Sequence, residues 1–239
     1  IQPTGMSYIR DITGPDGRRI VTKLALIYVF VAAFWSLFDQ MGSTWVLQAQ
    51  HMDKNIFGFE LLSSQIQAAN PFLVIALIPV FNYIVYPLMS RAFKLTAMRK
   101  MTIGMFLTAT PFLVTAWCEH QIQLGHTPHI SWQLLAYLLL TIAEVMVSIT
   151  CLEFAYTQGP KRMKSLVMSL FYLSISMGNF FTFGVNYFIQ NDDGTSKLDG
   201  PAYHLFFAGF MGVTAILFAI YAHFYKEEYI VQDEVDAGG

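Results

Sequence analysis

Charged side chains are scarce in this chain. They make up 13% of its 239 residues, whereas soluble globular proteins carry about 25%. Hydrophobic residues reach 55% and aromatic residues 15%, which leaves too little polar surface to cover a soluble fold. The 14 basic residues are balanced by 16 acidic ones, so no basic face for nucleic acid is expected. These shortages predict an integral membrane protein whose environment is the lipid bilayer.

Motifs of enzymes and metal sites are also missing from the sequence. No Gly-x-Ser-x-Gly, His-Glu-x-x-His or phosphate-binding loop occurs, and Cys118 and Cys151 are too few for a disulfide framework. His120, His126 and His129 lie close together, but their spacing matches no strong zinc-ligand pattern. We therefore predict no enzymatic activity, no metal site and no bound cofactor.

Long apolar runs are abundant. A bilayer core of about 30 Å requires roughly 20 apolar residues per helix, and six stretches meet this length. They cover residues 23–48, 64–90, 100–118, 130–157, 165–189 and 202–225. The third is the shortest, and Pro111 is expected to interrupt it. Because the alternating strands of membrane barrels are absent, we predict an all-α fold with six transmembrane helices.

The basic residues predict the orientation of these helices. Twelve of the 14 lie before the first span, after the sixth, or in the loops that follow the second and fourth spans. Such loops stay in the cytoplasm, so both termini are expected there. We expect the membrane to be a bacterial inner (plasma) membrane. We assign residues 1–22 to a cytoplasmic linker, 23–225 to the six-helix bundle and 226–239 to an acidic cytoplasmic tail.

Basic residues are lacking deep in the spans, although three acids lie there: Asp39, Glu144 and Glu153. Ionisable groups inside a membrane are costly and are usually functional. Each acid must be protonated, reach water, or pair with a base outside this chain. Glu153 lies near the cytoplasmic end of its span, where Lys161 or Arg162 could pair with it.

Two of these acids have notable neighbours. Trp35 and Phe38 share a helix face with Asp39, which fits either a functional site or an aromatic core stripe. Glu144 lies near the midplane, with Ser148 one turn further on, and could also be a purely structural, hydrogen-bonded acid. Asn70, just before Pro71, could line a cavity or satisfy backbone groups that the proline leaves unpaired.

The segments around these residues resemble a known transporter family. The run Phe34-Trp35-Ser36-Leu37-Phe38-Asp39-Gln40 is similar to the seventh helix of proton-dependent oligopeptide transporters. The run Ala143-Glu144-Val145-Met146-Val147-Ser148, followed by Leu152-Glu153-Phe154-Ala155-Tyr156, resembles their tenth helix, and Gln67-x-x-Asn70-Pro71 resembles the eighth. These transporters belong to the major facilitator superfamily and consist of two six-helix halves. The resemblance implies that this chain is the C-terminal half, helices seven to twelve.

The family's properties give each candidate residue an expected role. Glu144 would face the amino terminus of a di- or tripeptide, helped by Asn70 and Ser148. Trp35 and Phe38 would line the central cavity, as would Phe171, which stands where many relatives have a tryptophan. Asp39 would pair with an arginine of the N-terminal half, which is absent from this sequence.

The resemblance also implies a transport cycle. Protons would be the coupling ion for peptide symport into the cytoplasm, with Asp39 and Glu144 as candidates for the gate and for proton coupling. Two alternatives stay open from the residues alone. The same fold could carry another small solute such as nitrate, although Glu144 would repel an anion unless protonated. The chain could also be a six-helix membrane subunit without transport activity.

Overall fold

A computed structural model describes residues 13–158, 163–191 and 196–225 of the chain. Within these ranges, six helical segments are long and apolar enough to cross a membrane, which confirms the all-α, six-helix prediction. They are Gly17–Ala49, Ser63–Ala92, Ala97–Gln123, Ser131–Thr157, Lys164–Ile189 and Pro201–Phe224. The predicted acidic tail and most of the predicted N-terminal linker lie outside the described residues, as do Lys161 and Arg162.

The first span begins earlier than the hydropathy pattern indicated and is broken near its C-terminal end. Helix α1 covers Pro15–Phe38, so the last residues assigned to a linker are helical. A proline in the first turn suits a helix start, because its missing N–H has no partner there anyway. A 3₁₀ turn, Asp39–Gly42, then separates α1 from the short helix α2, Thr44–Ala49.

A small hairpin and a segmented second span follow. Strands β1 (Asn55–Ile56) and β2 (Phe59–Glu60) pair in antiparallel fashion. The second span then comprises α3, α4, a π-helical segment and α5, which are Ser63–Ile66, Ala69–Val80, Phe81–Val85 and Tyr86–Ala92. Pro79 lies inside α4, two residues before the π-helical segment begins, and local departures of this kind accommodate prolines in membrane helices.

The third span corrects one prediction. Helix α6 runs from Ala97 to Gln123 without a break, although Pro111 lies within it. The proline has no N–H to bond the carbonyl of Leu107, four residues earlier. The Thr110 hydroxyl donates to that carbonyl at 2.7 Å instead. The expectation of a short, interrupted span was therefore wrong, because the neighbouring threonine replaces the lost bond.

The remaining spans include a second π-helical segment. The fourth span consists of α7, Ser131–Glu144, a π-helical segment, Val145–Ile149, and α8, Thr150–Gln158. The fifth and sixth spans are the single helices α9, Lys164–Ile189, and α10, Pro201–Phe224. Glu144 is therefore the last residue before the helix widens.

The helices pack around one main apolar core. Helix α1 lies along α9, while α6 packs against both α7 and α10. Trp45, Phe112 and Tyr137 are among the largest fully buried side chains of this core. The second span is the most exposed, and Phe72, Ile75 and Tyr83 stand open on it. Helices α4 and α9 carry Asn70 and Asn179, which contact Glu144 and Asp39.

Candidate functional site

Glu144 and Asn70 meet between the fourth and second spans. Asn70 Nδ2 donates to Glu144 Oε2 at 3.0 Å and to Thr141 Oγ1 at 3.0 Å. Asn70 and Thr141 are buried, and Glu144 is half-buried. We call these three residues the acid–amide cluster. The sequence singled out two of its members, and the structure brings them into direct contact.

The side-chain bonds of Asn70 show which groups it contacts. A side chain that only replaced the bonds lost at Pro71 would bond to the backbone of its own span. The Asn70 side chain bonds across to the fourth span instead. The amide is therefore part of a polar site shared by two helices, with a carboxylate at its edge.

Ser148 follows Glu144 in the fourth span, and its position around the helix axis differs from the one it would have in a regular α-helix. It is buried, at 8% exposure, within the π-helical segment Val145–Ile149. The wider i→i+5 winding of that segment shifts Ser148 around the helix axis relative to Glu144. Among the hydrogen bonds of the described residues, none joins Ser148 to Glu144.

Asp39 has a partner that the sequence did not indicate. Asn179 of α9 donates from Nδ2 to Asp39 Oδ2 at 2.6 Å. Asp39 opens the 3₁₀ turn at the end of α1, so its carboxylate lies beside α9. Gly178, next to Asn179, lets the two helices approach closely, because a Cβ there would lie 2.8 Å from Ser36 N. In the sequence, Gly178 indicated a close helix contact, but nothing indicated that Asn179 would bond Asp39.

Three predicted cavity residues form one aromatic cluster. The Trp35 ring meets Phe38 at 5.2 Å and Phe171 at 5.8 Å between ring centroids, both edge-on. Edge-on aromatic pairs are favourable. All three side chains are 7–8% exposed, so the cluster is largely packed within this chain. The buried Trp35 indole N–H has no hydrogen-bond partner among the described residues.

The other candidate groups lie apart from the acid–amide cluster. Glu153 is exposed on α8, which lies beyond the π-helical segment that separates it from the acid–amide cluster. His129 bonds Ser131 Oγ and the Asn55 carbonyl, both at 2.9 Å, which ties the hairpin to the start of α7. Within the described ranges, no group of three or more His, Cys, Asp or Glu residues could hold a metal ion.

Residues 6–203 match the sequence profile of the POT family. The mouse (Mus musculus) protein "Solute carrier family 15 member 1" is 39% identical over 105 residues, which cover 44% of this chain and 15% of that protein. The worm (Caenorhabditis elegans) protein "Peptide transporter family 2" is 44% identical over 108 residues, which cover 45% of this chain and 13% of that protein.

Solved structures match over most of the chain. An auto-inhibited POT family peptide transporter superposes with a TM-score of 0.84 at 36% identity, over 95% of this chain and 46% of that one. The POT family transporter PepTSo superposes with a TM-score of 0.79 at 41% identity, over 87% of this chain and 42% of that one. The chain thus spans less than half the length of either transporter. With a family match over most of its residues and the same six-helix fold, the chain belongs to the POT family.

Proposed function

We propose that this chain forms the C-terminal half of a proton-coupled transporter that carries di- and tripeptides into the cytoplasm. The observation that carries the proposal is the contact between Asn70 and Glu144 in a chain of the POT family. Relatives described as peptide transporters support the choice of substrate.

The acid–amide cluster suits the amino terminus of a peptide. Glu144 Oε2 already accepts a bond from Asn70, so its second oxygen and its charge are available to a ligand. A peptide ammonium has three N–H donors and a positive charge, and hydrogen bonds between charged groups are the strong ones. A nitrate ion has no donor and carries the wrong charge for this carboxylate.

No basic residue lies deep in the spans of this chain, so we expect the N-terminal half to supply the cations that pair with its acids. An arginine of the N-terminal half would pair with Asp39, and cations there would bind the peptide carboxylate. Substrate sites between the repeats of such transporters lie near the midplane, and rocking of one half against the other exposes them alternately. Asp39 and Glu144 are the candidates in this chain for taking up a proton within that cycle.

The membrane supplies the energy for uptake. One proton entering the cell gains about 2.3 kcal/mol per 100 mV of membrane potential. The excess of basic residues in four cytoplasmic segments supports an orientation with both termini inside. We place the protein in a bacterial inner membrane, where such a potential exists.

Uptake by the intact transporter in proteoliposomes tests the proposal. A labelled dipeptide should accumulate when a pH gradient and an inside-negative potential are imposed. Glu144→Gln removes the charge that holds the ammonium, and hydrogen bonds to charged groups contribute about 1.5–3 kcal/mol. The dipeptide KM should therefore rise roughly tenfold or more, with loss of proton-driven accumulation.

Glu153→Gln is the matched control, because Glu153 lies in the same span but outside the acid–amide cluster. It should leave the dipeptide KM unchanged. Undiminished proton-driven uptake by Glu144→Gln would remove Glu144 from the mechanism. Competition by nitrate, but not by unlabelled di- or tripeptides, would show that the substrate class is wrong.

A further inference from the structure

We infer that Thr141 is a positioning residue that sets the amide orientation of Asn70 and thereby the preference for substrates with a free amino group. The inference rests on the proposed function, because it concerns how the acid–amide cluster recognises an ammonium. Neither the helical pattern nor the deep acids pointed to Thr141, which is fully buried in α7.

The hydroxyl proton of Thr141 is already used in a hydrogen bond to the backbone. Thr141 Oγ1 donates to the backbone carbonyl of Tyr137 at 2.7 Å, one turn earlier in α7. A hydroxyl has one proton and two lone pairs, so Thr141 can only accept a bond from a second partner. That partner is Asn70 Nδ2, at 3.0 Å.

Both amide hydrogens of Asn70 are therefore in use. One faces the lone pair of Thr141 and the other faces Glu144 Oε2. A flipped amide would turn Asn70 Oδ1 toward an oxygen that has no proton to give, and this opposes the flip whether or not Glu144 is protonated. Without Thr141, a protonated Glu144 could donate to a flipped Asn70 equally well.

The anchor itself is held rigidly. Tyr137, whose carbonyl binds the Thr141 proton, is 1% exposed, and its own hydroxyl donates to the Met41 carbonyl at 3.0 Å. The fourth span is thus fastened to the 3₁₀ turn Asp39–Gly42 of the first. Side chains locked by such second contacts hold a binding group in place.

The fixed orientation gives the ligand two acceptors. Asn70 Oδ1 accepts no hydrogen bond among the described residues, and it joins the second carboxylate oxygen of Glu144 as an acceptor for an ammonium. In the flipped state, the Asn70 N–H groups would face the ligand's own donors. An N-acetylated peptide, with one amide N–H and no charge, gains little from the fixed orientation. Thr141 should therefore favour free amines over blocked ones.

The test uses the intact transporter and a pair of ligands. The KM and kcat are measured for uptake of a dipeptide, and the inhibition constant is measured for its N-acetyl analogue. Thr141→Val keeps the shape and removes the acceptor. Loss of one hydrogen bond should raise the dipeptide KM about five- to tenfold, while kcat and inhibition by the N-acetyl analogue stay near wild type. Thr141→Ser should restore the wild-type ratio.

Thr108 is the matched control. It is also fully buried, and its hydroxyl donates to a carbonyl one turn earlier, Gly104 O at 2.8 Å, but accepts from no side chain of the described residues. Thr108→Val should leave the ratio of the two ligands unchanged. In an Asn70→Ala background, Thr141→Val should add nothing, because coupled residues are not additive. Should Thr141→Val fail to fold, Thr141→Ala removes the same acceptor.

The outcomes separate the two proposals. If Glu144→Gln impairs uptake while Thr141→Val leaves the ratio unchanged, or still has its full effect without Asn70, the positioning role is refuted and the proposed function stands. If the wild-type transporter takes up no dipeptide, the proposed function itself fails. A loss of selectivity in Thr141→Val that Thr141→Ser restores supports the inference.

Discussion

Gly178 offers the sharpest test of the packing, because any side chain there would meet backbone. The glycine lies where α9 crosses α1. A Cβ built on it would collide with the Ala32 carbonyl oxygen and would lie 2.8 Å from Ser36 N and 2.9 Å from Trp35 Cβ. Backbone atoms inside a helix cannot move aside cheaply. Gly178→Ala must therefore push α9 away from α1.

The size of the effect follows from two opposing contributions. Overpacking a filled interior costs about 1–3 kcal/mol, and collisions with backbone argue for the upper end. Replacing glycine by alanine within a helix gains about 1 kcal/mol. The net loss for Gly178→Ala should be about 2 kcal/mol. Gly184, on the same helix, has open space around its Cβ position, so Gly184→Ala should be neutral or stabilising.

Thermal unfolding of the purified intact transporter measures the difference. Where the six-helix half formed by this chain unfolds as one unit, a loss of about 2 kcal/mol lowers its melting temperature by roughly 4–8 °C, by the scaling for domains of about 150–250 residues. Both variants must be heated at the same rate, because membrane proteins often unfold irreversibly. Equal melting temperatures for Gly178→Ala and Gly184→Ala would refute the close crossing of α1 and α9.

Three further changes probe other contacts. Asn179→Leu removes the donor to Asp39 and should alter the pH profile of dipeptide uptake more than Asn179→Gln does; identical profiles would contradict a role for this bond. Gly104→Ala would place a Cβ 2.6 Å from Val147 Cγ2, in the π-helical segment beyond Glu144. It should therefore raise the dipeptide KM without touching the site, and an unchanged KM would count against that coupling. Trp45→Ala empties a fully buried position and should destabilise the transporter by about 3–5 kcal/mol in the same melting assay; a small shift would contradict its burial.

Local pattern was enough to predict the six spans, because each one must satisfy its own length and hydropathy in the bilayer. The ends of the spans were less predictable. We predicted that Arg18 and Arg19 belong to a linker, yet they lie in α1, because a helix can continue into water beyond the apolar run. The acids of the candidate site could be singled out from the sequence, because an ionisable residue such as Glu144 is energetically costly in an apolar membrane helix and is usually functional.

The partners of those acids could not be predicted in the same way, because they are joined across the bundle. Asn179 lies 140 residues from Asp39, and Asn70 lies 71 residues from Thr141. A polar residue such as Thr141 is unremarkable in a membrane helix, where threonine commonly bonds its own backbone.

A comparison of Thr110 with Thr141 shows which structural information could not be obtained from the sequence. Thr110 replaces a bond that Pro111 removes, and its role depends only on the adjacent residue. A Thr-Pro pair could therefore have predicted an unbroken α6 from sequence. Thr141 makes the same kind of backbone bond, but its importance depends on which side chain reaches its lone pair from another helix. Local bonding can be worked out along the chain, whereas the orientation of a binding group requires the packing of the helices that carry it.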